Sequence, residues 1–339
     1  MTNLYYKNWQ PFGCLTDVEF NNVINFLNCD NDAQNVISLD NLNQMVFHQF
    51  NVNIDNHNVD VDPDSNFFMS GRDLEGKCNY FFVDNNNDVL NRDKDLFSIF
   101  SLNINSFPKK FDSFISDICS NLKEIDVYCF CETKLSKEIE HLYNIHNYQQ
   151  ITLNYTRSSG GLALYVKDTY NDKIFVRNDL KRQLNSIESL FIEIKTGVKD
   201  LIIGVIYRRP NTIFNSFILE LESLLEIIRS ENKKVYITGD FNLNLLNLGD
   251  NNNVKEFVDL FHSNNFFNVV TKPTRVANSS ATLLDHLWTN DYNNCTFNNI
   301  LYYNLSDHFP IVCSFSNRIT VNRNQNKSST FYRNFDNTN

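Results

Sequence analysis

Several shortages in this chain each remove a class of protein. Its 339 residues include 8 cysteines but no Cys-x-x-Cys pair, so no zinc spacing is present. Cys129 and Cys131 stand two apart in a strand pattern and share a face, where they cannot readily bond to each other. Reduced thiols, as in a nuclear or cytosolic protein, follow. No apolar run approaches the ~20 residues that span a bilayer, and the amino terminus lacks the apolar core of a signal peptide. There is no basic excess: 30 Lys and Arg face 40 Asp and Glu, a net charge of −10. A broad basic surface for holding nucleic acid is excluded, so action on a phosphodiester must rest on a local basic patch, a metal or another domain. Glycine (9), proline (6) and tryptophan (2) are scarce while asparagine and phenylalanine abound. That bias points to an A+T-rich coding sequence and makes any single Asn weak evidence of function. No internal repeat of fixed period stands out.

What remains is ample for a large core: 42% of residues are hydrophobic and 14% aromatic, which excludes a wholly disordered chain. Residues 1–94 read as a polar leader with short helices at 18–27 and 39–50. Asp84, Asn86 and Asp88 faintly resemble a calcium loop, but Val89 occupies the place of its glycine and Asp95 that of its glutamate, so that reading is rejected. At Leu96 the texture changes. Residues 96–107 and 125–131 read as buried strands around a helix with apolar residues at 111, 114, 115, 118 and 122, a parallel crossover unit. Strands follow at 162–166, 190–194 and 201–207, then an amphipathic helix at 215–229 with Asn215 or Ser216 as its cap. A strand at 235–240, a helix at 254–262 and strands at 283–289 and 311–315 complete the pattern. Residues 317–339 are a polar, aperiodic linker or tail.

The polar residues gather where strands end. Asn103, Asn105, Glu132, Tyr207, Asp240, Asn242, Asp285, Asp307 and His308 each close or interrupt an apolar run. In Gly239-Asp240-Phe241-Asn242, period-2 alternation turns Asp240 and Asn242 to one side and Phe241 into the core. Carboxylates and carboxamides with one imidazole are what hard divalent cations and phosphate-ester hydrolysis require. Arg208 and Arg209 at a strand end are candidates for phosphate contact, and Thr271, Thr274 and Arg275 for lining a DNA groove. His286 neighbours Asp285 in a strand and should face the other way, as a structural residue; the remaining histidines read as solvated. Glu188 reads as a structural hydrogen-bonding group.

Asn103-Ile104-Asn105, Cys131-Glu132-Thr133, Tyr207-Arg208-Arg209-Pro210, Gly239-Asp240-Phe241-Asn242, Leu284-Asp285-His286 and Ser306-Asp307-His308-Phe309-Pro310 together resemble the ordered motifs of the endonuclease/exonuclease/phosphatase superfamily, over about residues 96–316. The versions present, with Glu132-Thr133-Lys134 and a Thr282–Asn290 segment, are most similar to the apurinic-like endonuclease domain of LINE-type (non-LTR) retrotransposons. The resemblance implies a four-layer α/β-β/α sandwich of two mixed sheets flanked by helices over residues 95–316. It implies a Mg²⁺-dependent phosphodiester hydrolase, with Mn²⁺ able to substitute, that nicks DNA and leaves a 3′-hydroxyl to prime reverse transcription. Glu132 would bind the metal, with Asn105 assisting and Asp307 as an outer or second-metal carboxylate. Asp240 would handle the attacking water; Asn103 and Asn242 would hold water and phosphate oxygens. His308 would face the phosphate with Asp285 fixing its tautomer, and Tyr207 would donate to the phosphate or leaving group. Implied partners are DNA, element RNA and a reverse transcriptase domain in a longer polyprotein, with no membrane; the implied place of work is the nucleus, after a cytoplasmic phase as nucleoprotein. Two other readings are an abasic-site repair endonuclease on the same fold and an inactive remnant that only binds.

Overall fold

The computed structural model describes residues 77–82, 96–122, 125–156, 160–197, 199–277 and 280–316. The helices expected at 18–27 and 39–50, the rejected calcium loop, the tail from 317 onward and the centre of the 155–161 turn lie outside the described residues. In chain order, β1 (Cys78–Phe82) and β2 (Leu96–Asn103) precede α1 (Phe107–Ser113), which runs on as a π-helical segment, Phe114–Cys119. Then come β3 (Val127–Cys131), β4 (Tyr148–Leu153), β5 (Leu162–Lys167), β6 (Ile174–Val176), β7 (Arg182–Gln183), β8 (Glu188–Ile194) and β9 (Leu201–Tyr207). After α2 (Phe214–Arg229) follow β10 (Lys234–Asp240), α3 (Asn252–Ser263), β11 (Phe267–Asn268), β12 (Arg275–Ala277) and β13 (Ser280–Thr282). The described chain closes with β14 (Asp285–Thr289), β15 (Cys295–Tyr302) and β16 (Ile311–Ser316).

Two seven-stranded sheets result. The first has the order β1-β15-β16-β2-β3-β5-β4; the second runs β11-β14-β10-β9-β8-β6, with β7 also pairing β8. Both are mixed: β2 and β3 pair in parallel, as the crossover pattern predicts, whereas β3 and β5 are antiparallel. Alternation sorts each strand into two layers. Phe97, Ile99, Val127, Cys129 and Cys131 enter the core shared with the second sheet. Phe100, Leu102, Tyr128 and Phe130 pack on the other face, where Phe114 of the α1 segment meets Phe100 and Phe130. On the outer face of the second sheet, Trp288 stacks on Phe261 of α3, and Phe217 of α2 meets Phe257 of α3. The expected four layers, helix–sheet–sheet–helix, are present.

Helix α2 buries Phe214, Phe217, Ile218, Leu221, Leu224, Leu225 and Ile228. At about 1.5–3 kcal/mol per fully buried side chain, this face decides how the helix docks. Its expected cap, Asn215 or Ser216, lies inside the helix; the cap position is Ile213, with no side-chain hydrogen bond. Helix α1 starts ahead of the predicted stripe because Pro108 is favoured in a first turn, where its missing N–H is not needed. The leader predicted up to residue 94 contains β1, which pairs in parallel with β15 from Cys78–Asn298 to Phe82–Tyr302. Five residues next to polar sequence give too short a pattern to register, yet Cys78 and Tyr80 are buried in the inter-sheet core. Among the described residues, no helix is long and apolar enough to cross a membrane.

Gly239 is the penultimate residue of β10, paired with Ile206 of β9 and His286 of β14. Its φ is +135°, and a Cβ there would lie 1.9 Å from the carbonyl oxygen of Ile206 on β9. No side chain fits without separating two central strands. Gly239→Ala is expected to cost on the order of 3 kcal/mol, measured by urea unfolding.

Candidate active site

The site is built where β2, β3, β9 and β10 end and the antiparallel β14 begins. Asp240 and Asp285 are directly opposed in the β10–β14 ladder, and Asp240 is paired with Tyr207 in the β9–β10 ladder. Three ladder positions therefore deliver two carboxylates and a phenol to one edge. Across the sandwich, β2 delivers Asn103, whose Nδ2 donates to Asp240 Oδ2 at 2.8 Å and to Glu132 Oε1 at 2.9 Å. One carboxamide thus links the two sheets at the site. Tyr207 Oη also donates to Glu132 Oε1, at 3.0 Å. His308 Nδ1 lies 2.7 Å from Asp285 Oδ2, and its Nε2 lies 4.0 Å from Asp240 Oδ2. Asn103, Asp240, Asp285 and His308 are all buried.

The backbone at this edge is unusual. Asn105, Ser106, Glu132, Lys134 and Asn242 all have positive φ. Such conformations in non-glycine residues cost about 1–3 kcal/mol each and persist only when surroundings impose them. Here Ser106 N donates to Glu132 O at 2.8 Å, Phe107 N to Thr133 O at 2.8 Å, and Lys134 N to Gly160 O at 3.0 Å. These bonds hold the chain in the turn that presents the Glu132 carboxylate. Glu188 is fully buried, as its structural reading requires; it accepts from Gly160 N at 2.8 Å and Gly161 N at 3.0 Å and pairs with Arg209 at 3.2 Å. A Cβ on Gly160 would approach Tyr207 and Glu132 to 3.0 and 3.2 Å, so this loop abuts the site.

The electrostatics favour a proton on both His308 and Asp240. Burial opposes a charge on His308, but Asp285, by charge and hydrogen bond, and then Asp240 and Asp307 raise it to about 9. It is therefore an imidazolium at neutral pH. Burial first, then the charge of Asp285, raises the Asp240 carboxyl, against the opposing pull of His308 and Asn103. Burial and the carboxylates of Glu132 and Asp240 push the Tyr207 phenol well above its usual range; it serves as a neutral donor. His286 points away from the site, stacked on Phe241 with ring centroids 5.0 Å apart, and Phe241 is buried. Both follow the alternation.

Other expected site residues go elsewhere. Period-2 geometry does not carry Asn242 beside Asp240, because Asn242 has φ 49° and lies beyond the strand. It returns by hydrogen bonds: its N reaches Asp240 Oδ1 at 2.9 Å, and its Nδ2 reaches Asp240 Oδ2 at 3.2 Å and Arg208 O at 2.7 Å. It steadies Asp240, and its amide donors are already engaged. Arg208 is buried, with its guanidinium over the Phe217 ring and donating to Asn242 O and Thr212 O, so it braces the β9 and β10 ends and offers no DNA contact. Thr271 is fully buried and lines no groove. Thr274 is also buried; its Oγ1 donates to Asp285 Oδ2 at 2.6 Å and accepts from Asp285 N at 3.0 Å. Arg275 is partly exposed and pairs with Asp307 at 2.9 Å. His262 is not solvated; it stacks on Phe267. Ser306, within its motif but given no role, donates to Asn103 O at 2.6 Å and accepts from His308 N at 3.1 Å, tying the His308 loop to β2.

Of the expected metal ligands, Glu132 fits. Its carboxylate is oriented by two donors, and oxygen ligands suit Mg²⁺, which keeps most of its waters. Of the other two, Asn105 Oδ1 accepts from Lys134 at 2.6 Å, and Asp307 pairs with Arg275 at 2.9 Å. In each case a side-chain cation supplies the charge a metal would bring. Asp240, Asp285 and His308 bring ligand atoms within 4.8 Å of one another and could hold a metal ion. The 2.7 Å Asp285–His308 contact also makes the trio a hydrogen-bonded acid–base unit, and a metal there would have to displace the His308 proton.

Comparison with known proteins agrees with the motifs. Residues 201–312 match the family described as endonuclease-reverse transcriptase. The endonuclease domain of TRAS1, a telomere-specific non-LTR retrotransposon, superposes with a TM-score of 0.52 at 13% identity, covering 66% of this chain and 99% of that one. The AP endonuclease LMAP from Leishmania major gives 0.54 at 14% identity, covering 69% and 92%. No curated protein sequence matches. The two-sheet sandwich expected from the motifs is the fold these structures share.

Proposed function

We propose, for a chain whose residues 201–312 match the endonuclease–reverse transcriptase family and whose fold is the endonuclease/exonuclease/phosphatase sandwich, that it is a metal-dependent DNA-nicking endonuclease that leaves a 3′-hydroxyl. The observation that carries this reading is the continuous hydrogen-bonded chain Glu132–Asn103–Asp240 facing the Asp285–His308 pair across 4.0 Å. That gap is too long for a direct hydrogen bond and suits one oxygen atom between an imidazolium and a carboxylate.

In this reading His308 donates to a non-bridging phosphate oxygen while Asp285 holds its Nδ1–H. Asp240, its ionised form disfavoured by burial, accepts the proton of the attacking water. Asn103 and Asn242 donate to Asp240 and fix the direction of its lone pairs. The water oxygen bonds to phosphorus, the P–O3′ bond breaks, and the 3′ oxygen takes a proton from solvent. A divalent cation held at Glu132 would supply positive charge beside the phosphate. Tyr207 remains un-ionised and keeps Glu132 in place. The proposed substrate is DNA, the proposed setting is the nucleus, and the proposed consumer of the 3′-hydroxyl is a reverse transcriptase.

Incubation with supercoiled plasmid and Mg²⁺ tests this. The chain should produce open circles whose nicks a DNA polymerase extends directly, and EDTA should stop it. His308→Ala should abolish nicking while the protein stays folded. Equal nicking by His308→Ala would refute the assignment, and preference for an abasic duplex over intact plasmid would favour a repair endonuclease.

A further inference from the structure

The strand β1 stands upstream of all the motifs that make up the site, yet it reaches that site through one loop. Tyr80 Oη donates to Pro273 O at 2.8 Å in a buried contact. Lys272 Nζ reaches Asn79 Oδ1 at 3.4 Å and lies 5.9 Å from the Tyr80 ring centroid. Three consecutive features of β1, the Asn79 amide and the Tyr80 hydroxyl and ring, therefore grip Lys272 and Pro273. The next residue is Thr274. Its hydroxyl donates to the Asp285 carboxylate oxygen that also meets His308 Nδ1. Its carbonyl accepts from Phe309 N, the residue after His308, at 2.7 Å. Pro273 has no N–H, so that residue's backbone is tied by its carbonyl alone. Lys272 is a buried ammonium with its charge disfavoured by burial; such a group keeps its place only against firm neighbours, and β1 supplies them.

We propose that β1 is a positioning element of the active site: Tyr80 and Asn79 fix the Lys272–Thr274 loop, and through Thr274 they set the placement of Asp285 and His308. None of the β1 residues touches the reacting atoms. The inference rests on the nuclease reading for its kinetic consequence, but the mechanical coupling stands independently of it. Misplacing a reacting group by a fraction of an ångström lowers turnover more than binding.

Tyr80→Phe in the full chain tests it, since the ring and its packing remain and only the hydroxyl bonded to Pro273 is lost. His308 ring resonances, assigned with His308→Gln, should shift, and kcat for nicking should fall about 10-fold with KM unchanged. Lys272→Met, which keeps the buried stem, should produce the same pattern. His308 resonances that stay put in both folded variants would overturn the proposal. Shifted His308 resonances in a chain that does not nick DNA would uphold the coupling and reject the nuclease reading instead.

Discussion

Asp240→Asn is expected to lower nicking by roughly 10²–10⁴-fold, the usual range for removing a general base, without weakening the fold at pH 8. The two halves of this expectation have one cause. Burial, and then the charge of Asp285, disfavours the ionised form of Asp240 and raises its pKa. A carboxyl group raised in the folded state loses stability for the protein as pH climbs from the usual carboxyl range through the raised value. At pH 8 that cost is fully expressed in the wild type and absent in the variant. The amide also keeps its oxygen for Asn242 N, the 2.9 Å bond that closes the turn. One donor must then face another at Asn103 Nδ2, which offsets part of the gain. Thermal unfolding at pH 8 should give a midpoint at or above the wild-type value beside the kinetic loss. A midpoint several degrees lower would show that Asp240 holds the structure together and would undercut its role as a strained, activated base.

The parts of this molecule that were legible in its sequence are those where local pattern and tertiary outcome coincide. The strands carrying Ile203, Val235 and Val127 are apolar over their length and end in the polar residues that make the site, so both strand and exit could be read. Asp285 and His286 fell to opposite faces because alternation alone decides it. Other features depend on partners far away in sequence. Glu132 takes a left-handed backbone without glycine because Ser106 and the Gly160–Gly161 loop hold the chain in that turn. Arg208 looks like a solvated strand-end cation, and only the return of α2, bringing Phe217 under it, makes it a buried brace. Strand β15 contains Asn298 and Asn299 in its middle, both buried, which broke its apolar pattern. Thr274 was within reach of the sequence reading, but which carboxylate its hydroxyl would meet was not.

These placements also revise how an acidic protein could hold a phosphodiester. Of the five side chains expected to meet DNA, Arg208, Thr271 and Thr274 are buried, Arg209 pairs with Glu188, and Arg275 is engaged by Asp307. In the proposed mechanism the positive charge beside the phosphate instead belongs to His308, held there by Asp285. Charge is thus placed at one point, in a dry setting where a hydrogen bond to an anion is strong. A broad basic face is not required for chemistry, and ground-state affinity for DNA should be weak, with a shallow salt dependence because few phosphates are neutralised.

Asp285→Asn should consequently do more than remove an orienting group. The Asp285 charge and hydrogen bond are the largest influences holding the His308 proton against burial. Without them burial prevails, and the His308 midpoint should fall from about 9 to the ordinary 6.5 or below. At pH 7.5 the imidazole would be neutral, and its donation to the phosphate would be lost from most molecules. Nicking at that pH should drop about 10²–10³-fold, with partial recovery as pH is lowered toward 6. The stability effect has a defined window. A histidine whose folded pKa is raised contributes stability that is fully present below its unfolded value near 6.5 and is lost as pH rises through about 9. At 1.36 kcal/mol per pH unit, that contribution is about 3 kcal/mol. Asp285→Asn should therefore lower the unfolding midpoint at pH 6, and the gap to wild type should narrow as the pH approaches 10. ¹H–¹³C NMR of the His308 ring, titrated in both proteins without added metal, checks the first part; thermal unfolding across the same pH range checks the second. A His308 midpoint unchanged by the substitution would mean that Asp285 only aims the ring, and the positive charge at the site would then need a different source.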